Sequence, residues 1–255
     1  MTSESAITKA VLSVVVPAFN EERTISKVIE KLLSVEGLLE IIVVDDYSTD
    51  RTGAICQQMA QLDARVRYFR HERNSGKTAA LKTGIAGSRG EIVMVQDADL
   101  EYDPAEIPEL IKPILDGVAD VVYGSRFLVR KTARVLYFYH YLANKALTFF
   151  SNLLTNINFS DVETGYKAFR GEIIRDMIIT SSGFGFEIEV TAKISKLGCA
   201  LYEVPISYYG RTYEQGKKIA AVDGVAAFWY VIRYNWLTSR RRSFRTLTRW
   251  PPRSS

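Results

Sequence analysis

Ile92-Val93-Met94-Val95-Gln96-Asp97-Ala98-Asp99-Leu100-Glu101 decides how this chain is read: a short apolar run stops at two aspartates one residue apart. The run has strand length. A strand ending in Asp-x-Asp delivers two carboxylates to a sheet edge, where a hard divalent cation can bridge them to phosphate oxygens. The competing reading is a strand entering an acidic turn, with Pro104 opening the next helix. Asp-x-Asp is too short to decide this alone, so the neighbouring stretches carry the argument.

Towards the N-terminus, Val11-Leu12-Ser13-Val14-Val15-Val16 reads as a buried parallel strand. Pro17-Ala18-Phe19-Asn20-Glu21-Glu22 then turns into a helix, with Asn20 the expected N-cap and both glutamates suited to the helix dipole. An amphipathic pattern follows at Ile25, Val28, Ile29, Leu32 and Leu33 and closes at Gly37, before a second strand, Ile41 to Val44, ends in Asp45 and Asp46. Strand, helix, strand with polar strand ends opens a doubly wound, mostly parallel α/β sheet, whose ligands sit beyond the carboxyl ends of the strands. Phe19 to Glu21, Asp45 with Asp46, and Asp97 to Glu101 therefore converge on one crevice. No glycine fingerprint follows the first strand, which argues against a dinucleotide fold.

The third strand, Val66 to Phe69, leads into Arg70-His71-Glu72-Arg73-Asn74-Ser75-Gly76-Lys77-Thr78. This has the tail of a phosphate-binding P-loop, but His71 stands where that motif needs its first glycine. Lys77 is either a group that meets donor or acceptor or a surface lysine at a helix start; His71 reads as structural. Beyond the central stretch come a helix from Pro104 to Leu115 and a strand from Asp120 to Arg126. Arg126 is placed to reach a phosphate or to pair with a nearby aspartate. Residues Arg134 to Leu154 are rich in aromatics but interrupted by His140, Asn144 and Lys145, so they read as an interfacial surface or a buried or dimeric helix rather than a membrane span. Asp161 and Glu163 precede Gly165 and an apparent strand. A helix carrying Glu187 and Glu189 runs to Gly198, and Leu201 to Tyr209 is strand-like with a break at Pro205. Gly210 to Lys218 is a polar loop of the kind that closes over phosphates, or simply a solvated one.

With 255 residues and 47% hydrophobic content, the chain can build one large domain with a substantial core. Cys56 and Cys199 lie far apart and lack zinc spacing. The net charge is +4, yet Arg233, Arg240, Arg241, Arg242, Arg245, Arg249 and Arg253 follow Gly224 with no acid among them, so the body is net acidic and the tail basic. Such a tail suits an anionic surface; with no recognition motif beside it, nucleic acid is not expected. Met1 to Lys9 lacks a signal-peptide pattern, which leads us to expect a peripheral protein on the cytoplasmic face of the membrane with no transmembrane span. The expected layout is a flexible N-terminus (1–10), a catalytic domain (11–218), an amphipathic interfacial helix (219–238) and a basic tail (239–255).

Taken together, Val-Val-Pro-Ala-Phe-Asn-Glu-Glu (15–22), Val-Asp-Asp-Tyr-Ser-Thr-Asp (44–50), Asp-Ala-Asp-Leu-Glu (97–101), Gly-Ser-Arg-Phe (124–127), Asp-Val-Glu-Thr-Gly-Tyr-Lys-Ala-Phe-Arg (161–170) and Arg211 with Lys217 resemble the inverting family 2 glycosyltransferases of GT-A fold, specifically the dolichol-phosphate mannose synthase and polyprenyl-phosphate glucosyltransferase group. The resemblance runs from about Leu12 to Ile219. It implies a nucleotide pocket lined by Pro17, Phe19, Glu21, Asp46 and Ala98, and Mg²⁺ or Mn²⁺ held by Asp97 and Asp99 with Glu101 beside them. It also implies that Arg126, Arg134, Arg211 and Lys217 contact donor or acceptor phosphates. Asp161 or Glu163 would act as base or orient the acceptor. The implied reaction moves a hexose from a nucleotide-sugar of the GDP-mannose or UDP-glucose type to a polyprenyl phosphate at a membrane surface. The chain lacks the Gln-x-x-Arg-Trp motif of processive synthases and the transmembrane helices that some relatives append. A soluble glycan or protein acceptor, and a non-catalytic nucleotide-sugar-binding subunit docked on a membrane protein or a second copy, remain as alternatives.

Overall fold

The computed structural model describes residues 9–128, 134, 137–210, 221–247 and 250. Strands β1 (Leu12–Ala18), β2 (Leu38–Asp45), β3 (Val66–Arg70), β4 (Ile92–Val95), β5 (Val121–Ser125), β6 (Lys167–Arg170) and β7 (Leu201–Pro205) form one 7-stranded sheet of order β3-β2-β1-β4-β6-β5-β7. Every strand except β6 runs parallel, because β6 pairs antiparallel with both β4 and β5. The expected mostly parallel α/β sheet is what forms.

Period-two alternation in the apolar strands feeds two cores. Val14, Val16, Ile92 and Met94 face a cluster shared with α1 (Ile25–Leu33), α2 (Thr52–Leu62) and α4 (Ile107–Leu115). Val15, Val93 and Val95 face another shared with α3 (Lys77–Gly87), α6 (Gly171–Asp176), α7 (Phe186–Ile194) and the helices α5 (Phe138–Thr155) and α8 (Ala221–Trp236). Burial of each such side chain stabilises the fold by roughly 1.5–3 kcal/mol. Helix α3 sits tight on β1 because Gly84 has no side chain: a Cβ there would lie 2.3 Å from Val15 Cγ1.

Strand order reverses beside β1, which lies between β2 and β4, and crevices in open α/β sheets form at such a point. Antiparallel β6 begins at this same carboxyl edge. The Asp161–Tyr166 loop, which carries the candidate acids Asp161 and Glu163 ahead of the strand, is thereby delivered to the ends of β4 and β5. Asn20, Tyr47 and Leu100, in the loops after β1, β2 and β4, have φ of 53°, 67° and 61°. Left-handed backbone at a branched residue such as Leu100 costs about 1–3 kcal/mol, and such strain clusters at functional sites.

One local expectation is corrected. Asn20 is not the N-cap of α1, which begins at Ile25 after Thr24. Its side chain instead accepts a 2.8 Å hydrogen bond from the Thr49 N–H, while its own N–H donates to Ser48 Oγ at 3.0 Å. The loops after β1 and β2 bind each other, and this costs the helix its nearest cap.

Candidate active site

The acids at the end of β4 form one wall. Asp97 is half-buried, and Oδ1 lies 2.8 Å from Lys77 Nζ; the same ammonium is 3.1 Å from Glu187 Oε1. Burial disfavours the Lys77 charge, but Asp97 and Glu187 outweigh it and hold its pKa well above the ordinary lysine value. Asp99 accepts the Glu101 N–H at 3.1 Å, and Glu101 Oε2 accepts from Tyr208 Oη at 2.8 Å. Ala98, between the acids, is buried in the core.

The second wall is the 161–167 loop. Asp161 takes Arg126 Nε and Nη2 at 2.7 and 2.8 Å, and both residues are buried. Desolvation opposes the Asp161 charge, yet the guanidinium overrides it and holds the carboxyl below its ordinary range. Of the two readings of Arg126, the ion pair is the one present. Gly165 lets this loop approach β4, since a Cβ there would lie 2.4 Å from Asp97 Oδ2. Tyr102 joins the walls: its hydroxyl accepts the Gly165 N–H at 3.0 Å, its ring stacks on Tyr166 at 4.8 Å, and Tyr208 packs between it and Arg126. Asp97, Arg126 and Asp161 thus share one cluster.

Lys167 is buried beneath the loop, donating to the Val162 carbonyl at 2.9 Å and also to that of Thr164. Burial lowers its pKa, against the pull of Glu187 and Glu163. Glu163 Oε1 is buried with no hydrogen-bond partner among the described residues. Burial, reinforced by Glu187, pushes the carboxyl up to about 7. Between the ordinary value near 4.5 and about 7, the folded protein keeps a proton that the unfolded chain releases, so this group's contribution to stability falls as pH rises through that window. Glu163→Gln should therefore leave Tm unchanged near pH 4 and raise it by roughly 2–4 °C at pH 8, for about 1 kcal/mol. Equal shifts at both pH values in thermal melts would count against a strained Glu163.

The nucleotide-pocket residues lie at the ends of β1 and β2. Pro17, Phe19 and Glu21 are half-buried there. Asp46 is buried, and its oxygens accept from the Ser75 and Gly76 N–H groups and meet His71 Nδ1 at 2.7 Å. Asp46 thus secures the loop before α3. His71, read as structural, also contacts Thr83 Oγ1 at 2.9 Å. Arg134 is exposed and reaches the Gly210 carbonyl at 2.9 Å, while Arg211 and Lys217 lie outside the described residues.

Sequence reasoning left Tyr102, Tyr208, Lys167, Glu187 and Lys145 out of the site and Lys77 undecided. The Gly76-Lys77 pair at a helix start was the usable signal for Lys77; the others are brought in by packing between distant segments. Lys145 of α5 lies 4.4 Å from the Phe127 ring centroid and donates to the Ser160 carbonyl, so α5 is joined to this edge.

Among the described residues no three His, Cys, Asp or Glu converge as a metal cage. Paired aspartates at a sheet edge nevertheless fit Mg²⁺ or Mn²⁺, since a small hard cation of this type is commonly held by one or two carboxylates with substrate phosphates and water completing the shell.

A polyprenol monophosphomannose synthase from Mycolicibacterium smegmatis is 29% identical over 78% of this chain and 77% of its own. An undecaprenyl-phosphate mannosyltransferase from Micrococcus luteus is 27% identical over 83% and 89%. Glucosyl-3-phosphoglycerate synthase from Mycobacterium tuberculosis, solved with Mn²⁺ and UDP-glucose, superposes with a TM-score of 0.70 at 22% identity, covering 91% of this chain and 81% of that one, and so shares the fold. The model of glycosyl transferase family 2 matches residues 13–178, most of the sheet and both walls of the crevice, and the chain belongs to that family.

Proposed function

We propose that this protein transfers a hexose, mannose in the first instance, from a nucleotide-sugar to a polyprenyl phosphate with inversion at the anomeric carbon. The observation that carries the reading is the convergence of the β4 acids and the Arg126–Asp161 pair on one crevice joined to the exposed aromatic face of α5. The names of the two mannosyl-transferring relatives support the sugar and the acceptor.

In this reading a phosphate oxygen of the acceptor attacks the anomeric carbon and the nucleoside diphosphate leaves. Pro17, Phe19, Glu21 and Ala98 line the nucleotide, with Asp46 holding the neighbouring loop. Asp97 and Asp99 hold Mg²⁺ or Mn²⁺, with Glu101 braced on Tyr208 beside them. When bound, the metal neutralises charge on the departing diphosphate. A phosphate monoester has a second pKa near ~6, so the nucleophile is ionised at neutral pH and Asp161 is not needed as a base. Asp161 instead spends its charge on Arg126, holding Nε and Nη2 and presenting Nη1 to the acceptor. Arg134, Arg211 and Lys217 add positive charge that offsets repulsion between two anionic substrates. Glu163, whose carboxyl burial pushes up to about 7 so that a large share keeps its proton at pH 7, suits hydrogen bonding to sugar hydroxyls.

The acceptor's chain requires an apolar landing. Phe127 packs edge-on against Tyr141 of α5, whose outer face exposes Phe138, Tyr139, Leu142, Phe149 and Leu153. Helix α8 packs on α5 through Phe150 and Phe228 and exposes Trp229, Ile232 and Trp236, with exposed Arg240, Arg241 and Arg242 just beyond. A contiguous apolar face rimmed by arginines suits a headgroup interface. No described helix is long and apolar enough to cross a membrane. Replacing Phe149 and Trp229 together by serine should cut co-sedimentation with anionic phospholipid vesicles at least tenfold, since each loses about 1.5 kcal/mol or more of burial. Undiminished sedimentation would remove this face from the reading.

The deciding experiment offers radiolabelled GDP-mannose and UDP-glucose with undecaprenyl phosphate, Mn²⁺ and detergent. Label in the organic phase supports the proposal; transfer only to a water-soluble acceptor such as 3-phosphoglycerate, or none, overturns it.

A further inference from the structure

Lys77 begins α3 and is held in place from both sides. Before it, Asp46 takes the Ser75 and Gly76 N–H groups, at 3.0 and 2.6 Å to its nearest oxygens, with Gly76 at φ 88°. After it, the Thr78 N–H and hydroxyl both donate to the Gly183 carbonyl, at 3.1 and 2.9 Å. The ammonium therefore bridges Asp97 at the end of β4 to Glu187 in the first turn of α7, with only 18% of the Lys77 side chain exposed. A compact cation on a flexible four-carbon stem stands against the carboxylate that a divalent ion would use.

Without that ammonium, half-buried Asp97 and buried Glu187 would be two like charges in one site, which is costly. With it, a divalent ion reaching Asp97 must first displace a charge already paired there. Glu187 offers Lys77 a second partner, so the displacement does not leave the ammonium uncompensated.

We propose that Lys77 is the internal counter-ion of the donor site: it neutralises Asp97 while the site is empty and withdraws onto Glu187 when a divalent cation takes that carboxylate. The inference rests on the metal role proposed above for Asp97. Lys77 is a positioning residue, and its effect is to keep metal affinity low until the nucleotide-sugar brings in further phosphate ligands. Metal and donor then bind cooperatively, because the diphosphate completes the shell of the incoming ion.

The test is Mn²⁺ binding to the full chain without nucleotide, read by electron paramagnetic resonance of free Mn²⁺ at pH 7.5. Lys77→Met removes the competitor and should tighten Mn²⁺ about tenfold. Glu187→Gln removes the alternative partner, leaves Lys77 on Asp97 alone, and should weaken Mn²⁺ severalfold. Lys77→Arg keeps the cation and should stay near wild type. A lysine that merely braced α3 against α7 would give losses in both Lys77→Met and Glu187→Gln, so the opposite signs are the signature. Unchanged or weaker binding in Lys77→Met overturns the inference. Should that variant not fold, Glu187→Gln decides: unchanged or tighter binding there overturns it equally. Wild-type protein that takes up no Mn²⁺ even with GDP or UDP present would instead defeat the metal reading itself.

Discussion

Under the proposed reaction, Asp97→Ala and Asp99→Ala should each lower hexose transfer to polyprenyl phosphate by about 10³-fold while shifting Tm by only a few degrees. The leaving diphosphate gathers negative charge in the transition state, and charge compensation by a bound cation is worth several kcal/mol; about 4 kcal/mol corresponds to 10³ in rate. Both aspartates are half-buried at the crevice, not in either core, so truncation opens little cavity. Loss of Asp97 also leaves Lys77 a partner in Glu187, which limits the structural damage. Transfer assays and thermal melts on the same preparations separate the two effects. If either variant kept half of wild-type transfer in saturating Mn²⁺, the proposed metal site would fall.

Arg126→Ala has the largest expected effect on stability. Asp161 is fully buried, and its charge is held by two guanidinium N–H groups and the Arg126 N–H. Removing one partner of a buried pair costs about 3–5 kcal/mol, because the other charge is left uncompensated. For a chain of this size that lowers Tm by roughly 6–20 °C. The pair lowers the Asp161 pKa, so its contribution is present above the unfolded carboxylate value and is lost as pH falls through the depressed folded one. The Tm gap between wild type and Arg126→Ala should accordingly be full at pH 7 and narrow below about pH 4. The double variant Arg126→Met, Asp161→Leu should recover much of the loss while remaining unable to transfer hexose. A wild-type melt for Arg126→Ala at pH 7 would contradict the buried pair.

Local patterns were reliable where one segment settles its own structure. The mostly apolar run Val11 to Val16, observed as Leu12–Ala18, and the apolar run Ile92 to Val95 are strands near the expected bounds, since their stable fate is burial on both faces. Pro205 ends β7 as its missing N–H suggests. Asn20 misled because a cap is a competition: Thr49 and Ser48 lie far along the chain yet close in space, and they took the groups a local reading had assigned to the helix. Asp46 and Arg126 behaved alike, each drawn into partners tens of residues away.

From sequence alone, the apolar periodicities and the acids closing β4 determined an α/β sheet with carboxylates at its ligand-binding edge, because both signals are written within single elements. Tertiary structure decided which of those charges are already paired. Reversal of β6 brings Asp161 to Arg126, and the packing of α3 and α7 sets Lys77 between Asp97 and Glu187. Ion pairing depends on distance and burial, and neither is encoded in the spacing of residues along a chain.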